Sequence, residues 1–158
     1  MSVALTAGFL SSGVIAQRLS RRGVPTISVA GWGMAGLVAV EAAIALAPPA
    51  RTVWLWSAAS FLAAFMAVGF AALNQAVPSR LAARANTSMN LFMFSLAFSL
   101  QYAFGALLEL WPAGADGMRP LEAWRCALGA FILVQTASVL WFWAYRRNAL
   151  RHSQRALD

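Results

Sequence analysis

Four long apolar stretches, separated by short polar breaks, set the pattern of this chain. They cover residues 26–46, 53–77, 87–111 and 123–145, and each has the roughly 20 or more residues that a helix needs to cross a hydrocarbon core of ~30 Å. A fifth run, over residues 3–16, is too short to span comfortably. It lacks the basic region that precedes the apolar core of a secretory signal, and its arginines follow it instead, so it reads as the end of a transmembrane helix. The pattern predicts an all-α polytopic transmembrane helix bundle, with four full spans and one partial N-terminal span. Boundary chemistry agrees. Gly23 and Pro25 suit a helix start, Thr52 can cap the next span, Asn86, Thr87 and Ser88 offer caps for the one after, and Glu122 suits the first turn of the last. The break at 112–121 holds two glycines and two prolines and predicts an irregular external loop. The chain is expected to be a single domain, 1–158, ending in a basic tail, 146–158.

Composition supports the membrane setting. Hydrophobic residues make up 61% of the chain and charged residues only 11%, too little polar surface to cover a soluble globule. The net charge of +7 comes with no lysine at all, and its arginines punctuate apolar runs rather than forming a basic face, which argues against nucleic acid. One cysteine, Cys126, and one histidine, His152 in the tail, leave no disulfide, metal centre or thiol–imidazole pair to expect. No cofactor and no enzymatic activity are expected.

The arginines also orient the bundle. Arg18, Arg21, Arg22, Arg80, Arg84, Arg146, Arg147, Arg151 and Arg155 fall on one side of alternating spans, and Arg51, Arg119 and Arg125 on the other. Nine against three is a positive-inside bias. It predicts an external N-terminus and a cytoplasmic C-terminus in a bacterial inner membrane.

The segment GWGMAG, residues 31–36, matches a dinucleotide-binding fingerprint by letters, but that pattern needs a strand before it and a helix after it. Inside an apolar helix its glycines are expected to admit a neighbouring helix instead. A second basic segment carries more. GVIAQRLSRRG, residues 13–23, resembles the G-x-L-A-D-R-x-G-R-R signature of the major facilitator superfamily, with Gly13, Ile15, Ala16, Arg18, Arg21 and Arg22 matching. Gln17 stands where that family has an acid and Ser20 where it has a second glycine. Residues 77–112 are similar to the loop before, and the body of, the eleventh helix of such carriers. The resemblance implies a partial secondary transporter of small solutes, helices eight (partial) to twelve, working by alternating access with a missing N-terminal half, and it implies that the loop of Gly13, Gln17, Arg18, Arg21 and Arg22 holds the inner gate. The alternative is a complete small membrane protein that packs against or regulates a partner without transporting.

Polar groups inside the spans are the remaining candidates. Asn90, Ala97, Gln101, Gly105 and Leu108 fall within about 40° of one line at ~100° per residue, a small and polar stripe. Ser57 and Ser60 form a second, milder one, with Asn74 and Gln75 towards the inner mouth. By the resemblance, the span carrying Ser57 and Ser60 lines a transport cavity; Ser57, Ser60, Asn74, Asn90 and Gln101 are the cavity candidates, with structural helix packing as the alternative for the stripe of Asn90 and Gln101. Glu41 lies about six residues from the outer end of its run, ~9 Å along the helix; it either reaches the interface or couples transport to protons. The clusters at Trp54–Trp56 and 141–145 are read as interfacial aromatic belts.

Overall fold

A computed structural model describes residues 2–48, 52–114 and 117–155, with side chains described through residue 147. Arg51 and residues 156–158 of the tail lie outside the described residues, as do the side chains of Arg151, His152 and Arg155. The described residues form helices and connecting turns with no strand: α1 (Ser2–Ser20), α2 (Thr26–Leu46), α3 (Thr52–Ala63), α4 (Met66–Ala76), α5 (Ser79–Glu109) and α6 (Leu121–Arg155). Away from their ends, helices satisfy their main-chain polar groups within the segment, which a bilayer core demands. Four stretches, Thr26–Leu46, Thr52–Ala76, Ser79–Glu109 and Leu121–Arg147, are long and apolar enough to cross a membrane. α1 is not among them. The architecture is thus an all-α bundle of four spans preceded by a partial one.

Several boundaries differ from the sequence expectation. α5 starts at Ser79, so Asn86, Thr87 and Ser88 lie inside it and cap nothing. The apolar-run criterion misplaced that start because Arg80 and Arg84 are polar, yet arginine and alanine are good helix formers. α6 likewise runs on through Arg146 and Arg147, so the start of the basic tail is a helical extension of the last span. Gly23 closes α1 rather than opening α2. Its φ of +81° is left-handed, and its N–H donates to Ser20 O at 3.0 Å while that of Val24 donates to Leu19 O at 3.0 Å, the paired bonds of a Schellman ending. Pro25, with φ −59°, then caps α2. Thr52 is the first residue of α3, whose cap position lies outside the described residues, and Glu122 sits in the first turn of α6, as expected.

One span is broken where nothing in its sequence announces it. Between α3 and α4, at Ala64 and Phe65, the Phe65 N–H donates to Leu62 O at 3.0 Å rather than to Phe61 O. Glycines on both sides make room for the break. Gly8 of α1 lies directly against the Phe61 carbonyl, and a Cβ there would stand 2.8 Å from Ala64 Cβ. A Cβ on Gly33 of α2 would be 2.9 Å from Phe65 Cγ. Val29, Ala30, Phe65, Val68 and Ala16 form the core around this junction, with Leu19 and Val24 packed against it.

α2 is the central helix, packed on α1, α3, α4 and α6. The GWGMAG glycines behave as packing positions: Gly31 faces Phe142 and Trp143 of α6, Gly33 faces Phe65, and Gly36 faces Leu62. α5 stands apart, packed on α4 and α6 with none of its residues buried.

Candidate functional site

The tight turn between α1 and α2 sets the last turns of α1 beside the end of α4. Between them lies an open cleft of about 390 Å³, whose polar lining is Ser12, Gln17, Ser20, Arg21, Thr26 and Gln75. Its apolar wall includes Ala67 and Val68, the residues that follow the break in the α3–α4 span. Gly13 opens onto the cleft, with nothing within 4 Å of where its Cβ would stand. Ser12 is buried and its hydroxyl donates to Phe9 O at 3.1 Å; Thr26 is buried as well. The exposed functional groups are therefore two neutral amides, a guanidinium and the Ser20 hydroxyl, offering many donors and, besides that hydroxyl, two carbonyl acceptors. No carboxylate lines the cleft. Its chemistry suits a small polar solute, neutral or anionic.

The cleft also fixes which helix ends lie together. The end of α1, the start of α2 and the end of α4 meet there, Arg146 Nη1 of α6 donates to Ser28 Oγ near the start of α2, and Asn86 Nδ2 near the start of α5 donates to Asn74 Oδ1 of α4 at 3.0 Å. At the opposite end Ile44, Thr52, Trp56, Phe104, Leu121 and Trp124 surround a second, apolar cavity of about 240 Å³. The spans alternate in direction, and the arginines of the α1–α2 turn, the start of α5 and the end of α6 share one end.

The remaining sequence candidates do not converge. Ser57 and Ser60 are half-buried on α3 and donate to their own helix, at Val53 O (3.2 Å) and Trp56 O (2.8 Å). Asn74 is taken up by Asn86. Asn90 and Gln101 are exposed on α5, Gln101 in a shallow groove with Tyr102, Gly105 and Glu109. Of the loop motif, Gly13, Gln17 and Arg21 line the cleft, whereas Arg18 and Arg22 face away from it.

Glu41 is half-buried and leans inward along α2, as a helix directs its side chains. Gln135 of α6 faces it. Its Oε2 is buried without a partner among the described residues. Arg146, missed in the sequence except as a topology signal, stacks over the rings of Trp143 (5.5 Å to the centroid) and Phe142 (6.0 Å) while bonding Ser28. Trp143 also stacks on Trp32 at 6.4 Å, so part of the aromatic belt at 141–145 is an interhelical clasp. The RRN boundary after an aromatic run was the available signal; its partner, Ser28, had none.

What this fold and cleft define is a helical integral membrane protein with a polar cleft at its arginine-rich end. Comparison with known protein families, with characterised proteins and with solved structures finds no match.

Proposed function

We propose that this chain is part of a secondary active transporter of small solutes, of the major facilitator type, lying in a bacterial inner membrane with the arginine-rich end and C-terminus cytoplasmic. The observation that carries the reading is the polar cleft beside a broken span. Discontinuous helices near the bilayer midplane are where such carriers place their sites, because a break frees main-chain carbonyls that a solute or ion can use. Here the break falls at Ala64 and Phe65, near the middle of the 25-residue span Thr52–Ala76. Gln17, Arg21 and Gln75 would hold the solute at the inner mouth, and rocking of α1 against α4 would open and close it. The nine-to-three distribution of arginines supports the orientation.

The uncovered amides of α5 favour further helices beside this chain, either the other half of a carrier or a separate partner. In the second case the chain is a non-transporting packing or regulatory subunit. Deleting the gene and comparing uptake and efflux of a panel of small solutes separates the two. A carrier predicts at least one solute whose accumulation changes, restored by the native gene and not by Arg21→Ala or Gln75→Leu. A packing subunit predicts that both variants restore everything the native gene restores.

A further inference from the structure

A second cleft on α1 points to a ligand the solute reading does not use. It has a volume of about 470 Å³ and is lined by Ile15, Arg18, Leu19, Arg21 and Arg22. Ile15, Arg18 and Leu19 stand at positions i, i+3 and i+4 on one face of α1, and Arg22 follows in the turn that ends it, with the apolar pair towards the interior of the bundle's span and the arginines towards its end. None of the three guanidiniums has a hydrogen bond or ion pair among the described residues.

Among the described residues no acid reaches them. The first acid in the chain is Glu41, and the described acids Glu41, Glu109 and Glu122 all lie in the outer halves of their helices. Gln17, one residue before Arg18, is neutral. Three exposed, planar cations beside an apolar wall at a membrane boundary match one chemistry: a phosphodiester bonded in bidentate fashion, with hydrocarbon attached.

We propose that this cleft binds an anionic phospholipid, its phosphate held by Arg18 and Arg22 and an acyl chain lying along Ile15 and Leu19. The apolar wall is what favours a lipid over free phosphate, which would leave Ile15 and the open side of the half-buried Leu19 uncovered. The proposal stands apart from the transport reading, since the arginines it needs most, Arg18 and Arg22, do not line the solute cleft.

The test uses the full chain, purified in detergent, with bound lipid counted by native mass spectrometry during titration with phosphatidylglycerol, phosphatidylcholine and inorganic phosphate. Phosphatidylglycerol should be retained in preference to phosphatidylcholine. Arg18→Gln with Arg22→Gln should weaken it by roughly fivefold per arginine removed, the effect of about one juxtamembrane charge each, whereas Arg80→Gln with Arg84→Gln, at the same end of the bundle, should change it less than about twofold. Gln17→Glu keeps every arginine and adds an acid beside them; it should also weaken binding, and it carries the test if the double variant fails to fold. Equal losses for the two arginine pairs, equal retention of the two lipids, no effect of Gln17→Glu, or displacement of the lipid by inorganic phosphate at matching concentration would each overturn the proposal.

Discussion

α2 and α5 are both apolar spans, yet the chain uses them in opposite ways. α2 presents Gly31 to α6 and Gly33 and Gly36 to the α3–α4 span, and buries Val29, Ala30 and Ile44. α5 is longer, at 31 residues, and buries none. Its packed face is Met89, Met93, Leu100 and Phe104, half-buried against α4 and α6, while Asn90, Gln101 and Gly105 lie exposed on the flank. Between hydrocarbon tails, helices attract through close packing and hydrogen bonds rather than through hydrophobicity, so small residues make interfaces and bare amides need partners. α2 is a finished interface; α5 is an uncovered surface.

The largest effect should come from filling the finished interface. Gly33→Leu places a branched side chain where even a Cβ would stand 2.9 Å from Phe65 Cγ, and should cost at least about 3 kcal/mol, read as loss of folded protein or a sharply lowered Tm. An unchanged Tm would mean that α2 and the break are not packed as described. Next in size is Arg146→Ala, which removes a charged hydrogen bond to Ser28 and two ring contacts; about 2 kcal/mol is expected from such a group, with Arg146→Lys recovering only part of it because a point charge lacks the planar stacking. Asn86→Ala, breaking the 3.0 Å bond to Asn74, should cost ~0.6 kcal/mol. Smallest is Gln101→Leu. Because Gln101 is exposed in this chain, the purified protein should keep its Tm within about 0.5 kcal/mol of stability, while any complex with further helices should weaken. Loss of the isolated fold from Gln101→Leu would erase the contrast between the two spans.

The same contrast explains what could be read in advance. The bounds of α2 were legible because an apolar run with Glu41 as its one charge sits between Pro25 and Pro48. Apolar runs measure the membrane, however, not the helix, so the polar first turns of α5 and the arginine-rich extension of α6 went unseen. The break at Ala64 and Phe65 contains neither proline nor glycine; Gly8 and Gly33, distant in sequence, permit it, and only tertiary packing shows that. For the cleft, the basic segment marked Gly13, Gln17 and Arg21, and Gln75 stood out as an amide near a span end. Ser12 and Thr26 did not, because the face that α1 turns inward is decided by the approach of Gly8 to Phe61. The amide stripe was visible as periodicity, but periodicity does not tell a covered face from a bare one.

The central claim is that the cleft between α1 and α4 is a water-filled path opening at the arginine-rich end. With Cys126, the single native cysteine, replaced by serine, Gln75→Cys and Ala71→Cys place thiols on the cleft wall one turn apart. Both should react with a membrane-impermeant maleimide in inside-out vesicles and not in intact cells, and Phe98→Cys, exposed on α5 at mid-span, should react in neither. Protection of both cleft positions from the cytoplasmic side, or their labelling from outside alone, would contradict the account.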